Sequence, residues 1–193
     1  MLSDPLVVVA RLAQVFDALK IPYVVGGSFA SSLYGIPRAT QDVDFMANLR
    51  LVHVDPITKA LESEFYVASE SISDAIRRHG SFNVIHLATM FKADIFVPRE
   101  DAWSREEMDR ARSEILQLDE NSHTIRFSSP EDTVLHKLRW FKLGGSVSDR
   151  QWADILGVLR IQGESLDLAY LERWAAILNV ADLLARARHE GNG

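Results

Sequence analysis

The chain has 193 residues, 47% apolar and 25% charged, enough for one good core or for one domain with a smaller one closely attached. Cysteine is absent, which excludes disulfides and thiolate metal sites and fits a reducing, cytoplasmic setting. No apolar run approaches the ~20 residues that span a bilayer, no basic leader precedes the first apolar run, and a net charge of −6 without a Lys/Arg run disfavours tight nonspecific binding to nucleic acid.

In chain order, Ser3-Asp4-Pro5 marks a helix start, and Leu12, Val15, Phe16 and Leu19 recur at helical spacing as far as Lys20. Tyr23-Val24-Val25 is a short run of strand formers bounded by Pro22 and by Gly26-Gly27. The segment 28–34 reads as a short helix stopped by Gly35 and Pro37. A second strand carries Asp42-Val43-Asp44-Phe45. A helix over 56–63, a strand at 65–67 and a polar helix over 70–78 lead to a hairpin of 82–87 and 90–97, with Asp94 in its second strand. The charged stretch 101–113 is expected to be helical. The runs 114–118 and 123–127 form a second hairpin around Asp119-Glu120-Asn121-Ser122. From Ser128 the pattern becomes helical: Ser129-Pro130 opens a helix to Leu143 that stops at Gly144-Gly145. Helices near 149–161, 167–178 and 180–188 follow, with a frayed tail from Glu190. The pattern predicts an α+β protein: a mixed sheet flanked by helices over 1–128, then a helical bundle over 129–193.

The stretch 21–47 carries the chemistry. Alternate strand residues share a face, so Asp42 and Asp44 project together while Val43 and Phe45 point the other way. Two adjacent carboxylates want a cation between them, and a hard divalent ion with oxygen ligands, Mg2+ above all, meets that need. Gly26, Gly27 and Ser28 lie where a strand ends and a helix begins, where free backbone N–H groups and the helix dipole favour a phosphate. A phosphate cradle beside a metal-binding acid pair equips a protein for phosphoryl or nucleotidyl transfer.

Gly-Gly-Ser, a short helix, then Asp-x-Asp on the next strand resembles the nucleotidyltransferase fold superfamily shared with polymerase beta. In that superfamily a third strand carboxylate completes the metal site, and Asp94 is the candidate here. The resemblance implies a nucleoside triphosphate, ATP among the choices, with its phosphates over Gly27-Ser28 and Mg2+ held by Asp42, Asp44 and Asp94. It implies in-line attack by an acceptor hydroxyl, with Asp94 as general base. The bacterial toxin-like nucleotidyltransferases of the AbiEii group place a lysine and a later acid on helices after the sheet. Lys137 with either Asp149 or Asp154 looks like that pair. The same resemblance implies a toxin role with a cognate antitoxin. Gly-Gly-Ser-Phe-Ala-Ser departs from that group's common Gly-Ser-x-x-Leu-Arg form, since no arginine follows Leu33.

Blander readings stand beside these. Ser28 serves as a plain N-cap, Arg38 as a loop-holding salt bridge or a phosphate contact, and His136 as a structural partner of Asp132. Trp140, Trp152 and Trp174 belong to the core. The acceptor is open among RNA, protein and small molecule. The alternatives in function are a nucleotide-sensing or partner-binding module without turnover, and a metal-dependent phosphate-ester hydrolase.

Overall fold

The computed structural model describes residues 4–118 and 121–191, so Ser3 of the expected helix start and Asp119 and Glu120 of the expected turn lie outside the described residues. The chain divides into two compact units. A sheet unit comprises Met1–Val25 and Thr40–Phe127, and a helical unit comprises Gly26–Ala39 and Ser128–Gly193.

Among the described residues the sheet unit holds seven strands: β1 (Tyr23–Val25), β2 (Asp42–Ala47), β3 (Phe65–Tyr66), β4 (Ser81–His86), β5 (Lys92–Phe96), β6 (Arg112–Leu118) and β7 (Asn121–Phe127). Their order is β3-β4-β5-β2-β1-β7-β6. The pairs β2·β5 and β1·β7 are parallel and the rest antiparallel, so the sheet is mixed, as the fold expected from the sequence requires. Helices α1 (Asp4–Ala18), α3 (Val54–Leu61), α4 (Ser69–Arg78) and α5 (Ala102–Arg110) complete the unit. Period-2 burial is strict on β2, where Val43, Phe45 and Ala47 are buried and Asp42, Asp44 and Met46 are partly exposed. Phe16 of α1 meets Tyr23 and Phe45 at ring-centroid distances of 5.5 and 5.7 Å, anchoring α1 on the apolar face. Each such buried ring contributes ~2 kcal/mol of apolar burial to that core.

Several boundaries move for local reasons. Helix α1 ends at Ala18 because Lys20 takes a left-handed φ of 55°, and the Ile21 amide donates to the Phe16 carbonyl at 2.8 Å, a Schellman-type close. Met90, expected in a strand, has φ 59°, so β5 starts at Lys92. The helix expected to reach residue 113 stops at Arg110, because Ala111 turns to extended backbone and β6 begins at Arg112.

The helical unit contains α2 (Gly27–Tyr34), α6 (Pro130–Leu143), α7 (Asp149–Gln162), α8 (Leu168–Ile177) and α9 (Ala181–Gly191). Ser129 caps α6 by accepting the Asp132 amide at 3.1 Å, with Pro130 at the first helical position. Its hydroxyl also donates to Asp132 Oδ2 at 2.6 Å, and Tyr170 of α8 donates to Asp132 Oδ1 at 2.6 Å, which satisfies a fully buried carboxylate. Helix α2 meets α7 at glycine: a Cβ on Gly35 would lie 2.8 Å from the Val158 amide nitrogen and 2.9 Å from the Ser31 carbonyl. The tail does not fray at Glu190. Its carboxylate accepts from Trp152 Nε1 at 2.7 Å and Arg186 Nε at 2.8 Å, and α9 continues to Gly191. Trp174 is in the core as expected, whereas Trp140 is half exposed.

Candidate active site

The sheet unit displays its acids on one face. Parallel pairing sets Asp44 directly opposite Asp94 and Asp42 directly opposite Lys92. Neighbouring strands lie about 4.8 Å apart and alternate residues along a strand about 6.6 Å apart, so the three carboxylates and one ammonium arise from a patch about 8 Å across. The buried residues between them, Val43 on β2 and Ala93 on β5, point to the opposite face and fix the orientation of the polar set.

The carboxylates are not bare. Lys92 Nζ lies 2.7 Å from Asp94 Oδ2, its side chain 41% exposed and that of Asp94 22%. The hydrogen bond to Asp94 raises the Lys92 pKa, burial works against it, and the charges of Asp94, Asp42 and Asp44 add to the rise. Thr40 donates to the Asp42 carbonyl at 3.0 Å and to Asp42 Oδ1 at 3.2 Å, steadying the strand entry. Among the described residues no three carboxylate or imidazole side chains converge as a metal-ligating group. The donor set nonetheless suits a hard cation: it is all oxygen, anionic, partly exposed, and already holds a positive charge.

The helical unit builds a second polar cluster around Ser28. Gly27 has φ +56°, a left-handed conformation that glycine adopts at least cost, and Gly26 is the N-cap with φ −122°. Ser28 is therefore not the cap. It sits inside the first turn, and its hydroxyl accepts from Arg38 Nη2 at 2.6 Å and Lys137 Nζ at 3.3 Å. Behind it, Asp154 of α7 takes two hydrogen bonds from Arg38, Nε and Nη2 both at 2.8 Å, and one from Lys137 Nζ at 2.6 Å. Burial pushes the Asp154 carboxyl up, but the hydrogen bonds from Arg38 and Lys137 outweigh it and hold the group below the usual carboxylate range. Arg38 and Lys137 thus meet Asp154 beside the start of α2, where helix-end amides favour an anion.

Of the two acids paired with Lys137 on sequence grounds, Asp154 reaches it while Asp149 stands exposed at the start of α7. Arg38 makes the salt bridge that the blander reading anticipated. Sequence reasoning passed over Lys92 as a partner of the acids, although its position two residues before Asp94 puts it on the same strand face. It also passed over Tyr170 as the partner of Asp132; nothing in the local sequence links residues so far apart.

No family model matches the chain, and no curated protein matches its sequence. Solved structures do resemble it. A nucleotidyltransferase-like antigenic protein from Paracoccidioides brasiliensis superposes with a TM-score of 0.53 at 18% identity, covering 95% of this chain and 91% of that one. ANT(2")-Ia in complex with adenylyl-2"-tobramycin superposes with a TM-score of 0.56 at 14% identity, covering 90% of this chain and 95% of that one. The fold is nucleotidyltransferase-like, as the resemblance read from the sequence implied.

Proposed function

We propose that the chain is a metal-dependent nucleotidyltransferase that moves a nucleoside monophosphate from a triphosphate to the hydroxyl of a small molecule. The observation that carries this reading is the set of Asp42, Asp44 and Asp94 on one partly exposed sheet face, in register across two parallel strands. Their oxygens would hold Mg2+, which supplies Lewis-acid polarisation of the phosphates and a more acidic acceptor hydroxyl when bound.

The chain's own residues supply the rest. In the helical unit, backbone amides at Gly27 and Ser28, with the Ser28 hydroxyl and the ammonium of Lys137, suit a phosphate. Asp154 holds Lys137 and Arg38 in place for that task. Asp94 receives the proton of the attacking hydroxyl, whose oxygen bonds to the α-phosphorus as the bond to pyrophosphate breaks. The small-molecule acceptor is favoured by the net charge of −6, which repels a nucleic-acid backbone and attracts a cationic partner. ANT(2")-Ia, of similar fold, was solved in complex with adenylyl-2"-tobramycin. The absence of cysteine fits a cytoplasmic setting, and no helix of the described residues is long and apolar enough to cross a membrane.

A thermal-shift titration with each magnesium nucleoside triphosphate tests the reading on wild type and on Asp42→Ala/Asp44→Ala. A ligand present at a hundred times its Kd adds about 2.7 kcal/mol to the folded state, or roughly 5 to 10 °C for a chain of this size. The expected result is a metal-dependent increment in wild type that the double variant loses. Only the ligand-induced increment counts, since removing two repelling acids itself stabilises the metal-free protein. No increment with any nucleotide would move the chain to the class of binding modules that share this fold.

A further inference from the structure

The acid face contains one residue that the proposed reaction does not use. Lys92 lies directly opposite Asp42 in the β2·β5 register, two residues from Asp94 on the same strand face, with its ammonium 2.7 Å from Asp94 Oδ2. It is half exposed on a flexible four-carbon stem, free to swing toward solvent without disturbing the buried face of β5. The three carboxylates share this face, yet among the described residues none of the possible trios of acids and histidines closes into a metal-ligating group. One of the two oxygens that Asp94 could give to an ion, Oδ2, is engaged by an amine.

We infer that Lys92 is the resident counter-ion of the Asp42/Asp44/Asp94 cluster and competes with the metal for it, so that its ammonium must leave Asp94 before all three carboxylates hold the ion. The inference rests on the metal reading above and adds a residue to it. An exposed lysine–aspartate pair contributes little to stability. The significance of this one lies in its position, because it places a positive charge where the ion's charge must go. The consequence is weak binding of free metal. The site then fills when the ion arrives already complexed to a triphosphate, whose own negative charge offsets the displaced ammonium.

The test uses the full chain and Mn2+ alone, followed by the electron paramagnetic resonance signal of the unbound ion. Wild type, Lys92→Met and Lys92→Arg are compared after far-UV circular dichroism shows each to be folded. A unit charge roughly 5 Å from a divalent ion opposes its binding by about tenfold even at the dielectric of water. Lys92→Met is therefore expected to bind Mn2+ at least about tenfold more tightly than wild type, with Lys92→Arg no tighter than wild type. A purely structural salt bridge would not produce that gain. Equal or weaker binding in Lys92→Met overturns the role of Lys92 and leaves the metal reading standing. Failure of both wild type and Lys92→Met to take up Mn2+ at millimolar concentration overturns the metal reading, and this inference with it.

Discussion

Asp154 is a carboxylate with almost no access to water and three hydrogen bonds from two cations. Removing its charge takes from the buried Lys137 the carboxylate it is paired with, and breaking a buried pair in this way costs about 3 kcal/mol. Asp154→Asn should lower stability by that amount in urea at neutral pH. The pH dependence has a definite sign. A group whose folded pKa is depressed contributes stability above its unfolded pKa of about 3.9, and that contribution is lost as pH falls through the folded value. The gap in urea midpoint between wild type and Asp154→Asn should thus be constant near neutrality and narrow in acid. A gap that is the same at pH 3 and pH 7 would mean that the Asp154 charge is not what the substitution removes.

At the scale of elements, the α2–α7 contact is set by backbone approaching backbone. A methyl at Gly35 would press on the Val158 amide and the Ser31 carbonyl, neither of which is a flexible side-chain end. Overpacking of this kind costs about 1 to 3 kcal/mol. Gly35→Ala is expected to lower the urea midpoint accordingly, while Gly80→Ala, which meets nothing within 4 Å, should change it little. Gly35 also shows where sequence and structure part. Its role as a helix stop was legible, because glycine followed by proline ends helices for local reasons. Its role as a contact point was not, since the partner Val158 lies more than a hundred positions away. The acid face was legible for the opposite reason. Strand alternation is local, so Asp42-Val43-Asp44 and Lys92-Ala93-Asp94 each announce a face, and only the pairing of the two strands had to come from the fold. The Ser129-Pro130 cap was read as easily, but Ser28, expected as a cap, lies inside the first turn of a helix capped by Gly26, and Lys20 and Met90 were not foreseen, because left-handed backbone at ordinary residues leaves no mark in composition.

For the whole molecule, charge is the property that composition predicts best. With a net −6, the chain should show only weak affinity for unstructured RNA at 150 mM salt, with a Kd above ~10 µM in a filter-binding titration. Tight, salt-sensitive binding would reopen nucleic acid as the acceptor. What composition does not reveal is that neither unit is a single stretch of chain. The segment Gly26–Ala39 belongs with Ser128–Gly193, and the chain threads β2 to β7 between them.

That division has a consequence for how the protein is made. Helix α2 leaves the ribosome early, yet the helices of its own unit belong to the last third of the chain, α7 among them, which meets it at Gly35. At translation speeds of 5 to 20 residues per second, α2 waits on the order of ten seconds for them. Eight residues are too few for a helix to persist alone in water. The Ser28 turn therefore takes shape only near the end of synthesis, after the strands bearing the acids have emerged, and a nascent chain cut short before α6 carries the acids without a finished cradle.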